Sequence, residues 1–155
     1  MKKKMIIIGG GISGIYLSIL LKKYLDMDVL VLEANDKPLK KVLATGNGRC
    51  NLSNKDLDKS HYDGDIKPWV DDVIHDFDIV EALKDIGLYT KYMGNLLYPY
   101  SESAKAVQTL FLNRASEYGV KIICEEEVLS IKKSKQGYFI HAVHQDYQAD
   151  YVTIA

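Results

Sequence analysis

Ile6-Ile7-Ile8-Gly9-Gly10-Gly11-Ile12-Ser13-Gly14 is the stretch that decides the fold of this chain. Met5 to Ile8 read as a buried parallel strand. Behind them Ile12, Ile15, Ile19 and Leu20 form the apolar stripe of a helix. Between the two lies Gly9-x-Gly11-x-x-Gly14. Gly9 lets the chain turn sharply out of the strand, and Gly11 carries no side chain to hold phosphate oxygens off the backbone. Gly14 lets the helix pack closely on the sheet. The start of that helix offers free N–H donors and the positive end of its dipole to an anion. Val29 to Leu32 form a second strand that ends at Glu33, 19 residues past Gly14 (33 − 14). An acid at that place can accept hydrogen bonds from both ribose hydroxyls of an adenosine and repels a 2′-phosphate, which disfavours NADP. Gly9, Gly11, Ser13, Gly14, Glu33 and Ala34 are therefore the expected seat of the ADP half of a dinucleotide.

The chain has 155 residues, enough for one domain with a real core. Its formal charge is −1, from 20 basic and 21 acidic residues, so composition makes no electrostatic case for nucleic acid or a membrane surface. No apolar run approaches the ~20 residues that span a bilayer. Lys2-Lys3-Lys4 precedes too short an apolar run for a signal peptide and reads as a solvated strand start. Cys50 and Cys124 form no Cys-x-x-Cys pair and no disulfide framework, so a reducing cytoplasm is the expected compartment.

After Glu33 a polar, turn-rich stretch runs from Asn35 to about Pro68. A short helix is expected over 69–77. Asp78 with Glu81 resembles a capping box that opens a helix carrying Ile79, Leu83 and Ile86 and ending at Gly87. Tyr89 to Tyr98 read as a hairpin around Gly94-Asn95. Ser101 is the expected N-cap of an amphipathic helix with Ala104, Val107, Phe111, Ala115 and Tyr118 on its apolar face, ended by Gly119. Only then does a third core strand follow, Val120 to Cys124, with Cys124 expected in the core. The insertion before it, about 35–100, is too long for a minimal NAD-binding domain. Glu125-Glu126-Glu127 read as a solvated turn. A three-stranded antiparallel meander closes the pattern: 128–132, then 138–143 after a turn at Lys135-Gln136-Gly137, then 149–154, its last strand apolar as though returning to the parallel sheet. A domain seldom ends on a fresh buried strand, so the expectation is one piece of a longer protein.

The strand–turn–helix–strand–Glu opening, the late third strand and the meander together resemble the FAD-binding fold of the glutathione-reductase type. The segment Lys40-Lys41-Val42-Leu43-Ala44-Thr45-Gly46-Asn47-Gly48-Arg49-Cys50-Asn51-Leu52-Ser53-Asn54 closely resembles a signature of one bacterial flavoprotein family. Its members are NAD(P)/FAD-dependent oxidoreductases, among them aminoacetone oxidases and bile-acid reductases. Tyr98-Pro99-Tyr100-Ser101 with Ala104 resembles a second block of that family. Glycine often precedes the Lys-Lys pair there; here Leu39 stands in its place.

The resemblance implies an α/β fold: a Rossmann-like FAD-binding domain over 1–155, with a parallel sheet, a helical insertion and a three-stranded antiparallel meander. It implies FAD as cofactor, with NAD(P)H as a candidate electron donor in the full-length protein. It also implies that the backbone at Val128 holds the adenine.

The residue types of the signature suit such a role. Gly46 and Gly48 allow close approach of a flat ring or a phosphate, and Arg49 offers a planar cationic fork. Asn51 both donates and accepts, as a flavin pyrimidine edge requires, and Lys41 can reach ribose or pyrophosphate. Thr45 and Cys50 complete the candidate set, Cys50 as a packed or half-exposed thiol rather than a redox partner. His61, His75, His141 and His144 lack metal-ligand spacing, so no metal is expected. No catalytic acid or base stands out. The expected partners are a small-molecule cofactor and a substrate. Two alternatives remain open at this point: a non-catalytic, truncated nucleotide-binding module, and an NAD-binding domain.

Overall fold

The computed structural model describes residues 2–62, 64 and 67–155, so positions 63, 65 and 66 of the turn-rich stretch lie outside the described residues, as does the His75 side chain. In chain order the elements are β1 (Lys3–Ile8), α1 (Ile12–Tyr24), β2 (Met27–Leu32), β3 (Ser53–Asn54), α2 (Lys67–Asp76), α3 (Ile79–Asp85), β4 (Thr90–Met93) and β5 (Leu96–Pro99). They continue with α4 (Ala104–Glu117), β6 (Lys121–Ile123), β7 (Val128–Ser134), β8 (Gly137–Ala142), β9 (Asp146–Ala149) and β10 (Tyr151–Ile154). The chain forms two compact units, one made of 1–42 with 111–155 and the other of 43–110.

The first unit is built on a parallel sheet of order β10-β1-β2-β6. Ile6 pairs with Leu30 and with Val152, and Leu32 with Ile123. Ile6, Ile7 and Val31 are fully buried, as expected for a parallel sheet covered on both faces. One face packs Ile6, Leu30 and Leu32 against Ile140, Ala142, Tyr147 and Ala149 of the antiparallel sheet β7-β8-β9. α1 buries Ile15 and Ile19, and its Tyr16 meets Phe111 at 6.1 Å between ring centroids. The fold is therefore the Rossmann-like α/β arrangement expected from the sequence, with its parallel sheet and its meander.

Several local expectations are corrected. Ile12 is 41% exposed: it opens the first turn of α1 and leaves Ile15 and Ile19 to form the buried stripe. Leu20 is half-buried. The last apolar run is not one meander strand but two elements. β9 closes the meander and β10 joins the parallel sheet, with Asp150 between them. Its N–H donates to Lys4 O at 3.0 Å, and its carboxylate accepts from the Lys4 N–H at 2.8 Å and Lys3 Nζ at 2.7 Å. Those bonds tie the crossing point to the start of β1. Cys124 is half-buried rather than core, because β6 ends one residue earlier.

In the second unit β3, β5 and β4 form an antiparallel sheet, with Gly94 at φ +60° in the hairpin turn. The turn-rich stretch contains, besides β3, tight turns within Lys41–Gly48 that are broken by a non-helical kink at Thr45, Gly46 and Asn47, and a short 3-10 segment at Lys59–His61. Asp78 caps α3 by accepting from the N–H groups of Val80 and Glu81. The Glu81 carboxylate accepts from Lys84 Nζ rather than reaching back to complete a capping box. The cap of α4 is Ser103, whose Oγ accepts from the Ala106 N–H at 3.2 Å, and not Ser101. Ser101 lies two residues too early, because Glu102 adopts a left-handed φ of +47° before the helix begins. The chain passes from the second unit to the first within α4.

Candidate functional site

The glycine turn ends β1 as its residue types require. Gly9 has φ +114° and its N–H donates to Leu32 O at 2.8 Å, which ties the turn to the end of β2. A Cβ on Gly14 would lie 2.1 Å from Gly9 O, so α1 starts as close to the turn as a backbone can come. At Gly11, by contrast, a Cβ would meet nothing within 4 Å. Gly11 caps α1 without any side-chain bond, and the first bond of the helix runs from Ile15 N–H to Gly11 O. The N–H groups of Ile12, Ser13 and Gly14 thus precede the helical ladder and face an open, exposed turn. This is the arrangement in which a diphosphate finds both donors and space.

Glu33 is 8% exposed. Its Oε2 accepts from the Gly10 N–H at 2.7 Å, and its Oε1 accepts from the Asn35 N–H at 2.8 Å and Asn35 Nδ2 at 2.6 Å. Burial pushes the carboxyl upward, but the Asn35 amides, the Gly10 N–H and the nearby Lys40 charge outweigh it and hold Glu33 below its usual pKa of 4.5. A carboxylate has about four acceptor positions. The three bonds present leave about one, fewer than the two that the sequence reading assigned to ribose. Gly10 also belongs to the machinery of the turn: a Cβ there would lie 2.8 Å from Glu33 Oε2.

The lowered pKa carries a pH prediction. A carboxyl whose pKa falls on folding contributes stability that is complete above the unfolded value and is lost as pH drops through the folded one. Glu33→Gln is therefore expected to lower stability by roughly 1–3 kcal/mol at neutral pH. The gap between wild type and variant should close below pH 4.5. Urea midpoints at pH 7 and pH 3 measure it, and a gap that does not change with pH would contradict the assignment.

Ala34 is exposed beside Glu33, Val128 is half-buried at the start of β7, and Lys41 is exposed. The β7–β8 register shifts between Val128 and Ser130, which frees the backbone there from regular pairing. Leu39, which stands where the family often has glycine, has φ +60° and a buried side chain, and its N–H donates to Gly10 O at 2.8 Å. A left-handed residue is needed at that point, and Leu39 accepts the strain while filling core.

The signature loop lies in the 43–110 unit and is described by itself. Gly46 (φ +56°), Asn47 (φ +53°), Gly48 (φ +81°) and Cys50 (φ +63°) all adopt left-handed conformations. These close the loop on itself: Arg49 N–H donates to Gly46 O at 3.0 Å and Cys50 N–H to Thr45 O at 3.1 Å. A Cβ on Gly46 would sit 2.8 Å from Asn51 N, whereas one on Gly48 would meet nothing within 4 Å. Thr45, Arg49 and Asn51 are exposed. Cys50 is 4% exposed; burial pushes its thiol up against the opposing bond to Thr45, so the thiol stays protonated.

One acid escaped the sequence reading. Glu126 is not part of a solvated turn but is 3% exposed. Its N–H donates to Glu33 O at 2.9 Å, and its carboxylate accepts from the His144 N–H at 3.0 Å and the Gln145 N–H at 3.4 Å. It thereby ties the β8–β9 turn to the strand end that carries Glu33. Three identical residues in a row offered no signal to single it out. His144 Nδ1 lies 3.2 Å from Glu126 Oε2, and His141 Nδ1 lies 2.6 Å from Asp146 Oδ1. Among the described residues no three His, Cys, Asp or Glu side chains gather as a metal site.

The profile of the HI0933-like protein Rossmann domain matches residues 3–155. The chain belongs to that family. It is a Rossmann domain. The 3-dehydro-bile acid delta(4,6)-reductase of Clostridium scindens is 39% identical over 96% of the chain and 37% of its own length. A ribosomal RNA dihydrouridine synthase of Haemophilus influenzae is 28% identical over 83% of the chain and 32% of its own length. The solved structure of THI4 from Thermovibrio ammonificans superposes with a TM-score of 0.62 at 13% identity, over 99% of this chain and 56% of that one, a likeness of fold alone. The chain spans about a third of the length of the curated relatives it matches. Among the described residues of this HI0933-like domain no helix is long and apolar enough to cross a membrane.

Proposed function

We propose that this domain holds FAD through two segments and serves a flavin-dependent oxidoreductase. The ADP half rests on Gly9, Gly11, Ser13 and Gly14, with Glu33 and Ala34 at the ribose and the Val128 backbone at the adenine. The flavin-side half is met by Thr45, Gly46, Gly48, Arg49, Cys50 and Asn51, with Lys41 reaching ribose or pyrophosphate. Residues 1–155 are read as one FAD-binding domain with an insertion at about 35–100, in keeping with the compact unit at 43–110. The observation that carries this reading is the open space at Gly11 beside the uncapped start of α1.

When bound, the flavin supplies the electron chemistry, and the protein binds and orients it. This chain's residues donate backbone N–H groups to phosphate and hold a carboxylate at the ribose. No catalytic acid or base is assigned. Reduction of a bile acid therefore remains a property of the Clostridium protein. NAD(P)H is the proposed electron donor of the whole enzyme. A bacterial, cytoplasmic setting fits the bacterial relatives and the two free thiols.

Purified chain is expected to be yellow, with a band near ~450 nm that denaturation releases as FAD. If it is isolated without cofactor, added FAD should raise its melting temperature. A colourless chain stabilised by NAD but not by FAD would reject the reading.

A further inference from the structure

The Tyr98-Pro99 block is one of the two sequence features the glycine turn does not explain, and the structure gives its tyrosine a task. Tyr98 is 5% exposed although it stands on a short sheet, opposite Lys91 of β4. Its ring lies against the signature loop: a Cβ on Gly46 would sit 3.3 Å from Tyr98 Cε1. The Arg49 guanidinium carbon lies 5.1 Å over the ring centroid. A buried ring beneath an exposed guanidinium holds the charge through the ring face and uses none of its N–H donors. Glu102 stands near enough for the Arg49 charge to act on its carboxyl, yet that carboxyl bonds Lys91 Nζ at 2.5 Å. Lys91 thus engages the acid that would otherwise compete for the arginine.

We propose that Tyr98 is the positioning residue for Arg49, presenting its guanidinium donors to an anionic or carbonyl acceptor on the flavin-side half of FAD. The proposal rests on the FAD reading above. Tyr98 touches no cofactor atom in this role; it acts through Arg49.

The test is a double-mutant cycle on the 155-residue chain, with FAD and ADP titrated calorimetrically. Tyr98→Leu is expected to weaken FAD about fivefold, while ADP affinity changes less than about twofold. Tyr98→Phe keeps the ring and is expected to restore FAD binding. In an Arg49→Met background the same Tyr98→Leu change should cost less than about twofold, since nothing remains to position. Should Tyr98→Leu fail to fold, Tyr98→Met keeps more of the volume and repeats the cycle. A loss of equal size in both backgrounds makes Tyr98 merely structural and overturns the proposal. So does unchanged FAD affinity in Tyr98→Leu when the wild type prefers FAD to ADP. A wild type that binds FAD no tighter than ADP overturns the FAD reading itself, and this proposal with it.

Discussion

Gly11→Ala is expected to leave the fold standing while cutting FAD affinity at least about tenfold, or about 1.4 kcal/mol. The backbone at Gly11, φ −70° and ψ −179°, is one that alanine adopts freely, and a Cβ there meets nothing within 4 Å. The stability change should therefore stay within about 1 kcal/mol, most of it from the poorer cap that alanine makes. The methyl group would occupy the space beside the free N–H groups of Ile12, Ser13 and Gly14, where the diphosphate is proposed to lie. Urea unfolding and FAD titration on the same preparation separate the two effects. Undiminished FAD affinity in the variant would remove this turn as the phosphate seat.

Gly14→Ala is expected to act the other way round, through the fold first. Its Cβ would lie 2.1 Å from Gly9 O, 3.2 Å from Ile7 Cγ2 and 3.3 Å from the Ala155 Cβ. Ile7 is fully buried in β1 and the closest neighbour is backbone, so the start of α1 must move. Overpacking of this kind costs about 3 kcal/mol or more when backbone is displaced. The better helix propensity of alanine returns about 1 kcal/mol. A net loss of roughly 2 kcal/mol follows from the two. Because the helix start carries the free donors, FAD binding should fall along with stability. A Gly14→Ala chain with wild-type urea midpoint and wild-type FAD affinity would show that the close approach is not needed.

The contrast between these two glycines marks how far residue types can be read. Spacing singles out both, Gly14 for close packing and Gly11 for the room it leaves. How tight the contact is, with Gly9 O 2.1 Å from a Cβ at Gly14 and nothing within 4 Å at Gly11, appears only once Gly9 O and Ile7 are placed beside Gly14. Glu33 was likewise found from its distance along the chain. That Gly10 and Asn35 already use most of its carboxylate depends on a loop whose course no periodicity encodes. Ser101 and Ser103 are equivalent as caps by residue type; the left-handed turn at Glu102 chooses between them.

The sequence by itself determined the strand–turn–helix–strand–acid unit, the hairpin at Gly94, the helix of Ala104 to Glu117 and the meander. Apolar period, glycine and capping residues act within a few positions of one another, so their physics is local. Only the tertiary structure decided that Asp150 splits the last apolar run between two sheets and that Cys124 stands half-exposed. It alone buried Glu126 under the β8–β9 turn and set Tyr98 beneath Arg49. Three of those outcomes depend on partners distant along the chain: Lys4 for Asp150, His144 and Gln145 for Glu126, and the signature loop for Tyr98. Burial and hydrogen bonding are settled by which distant groups meet, and a linear pattern carries no record of that meeting.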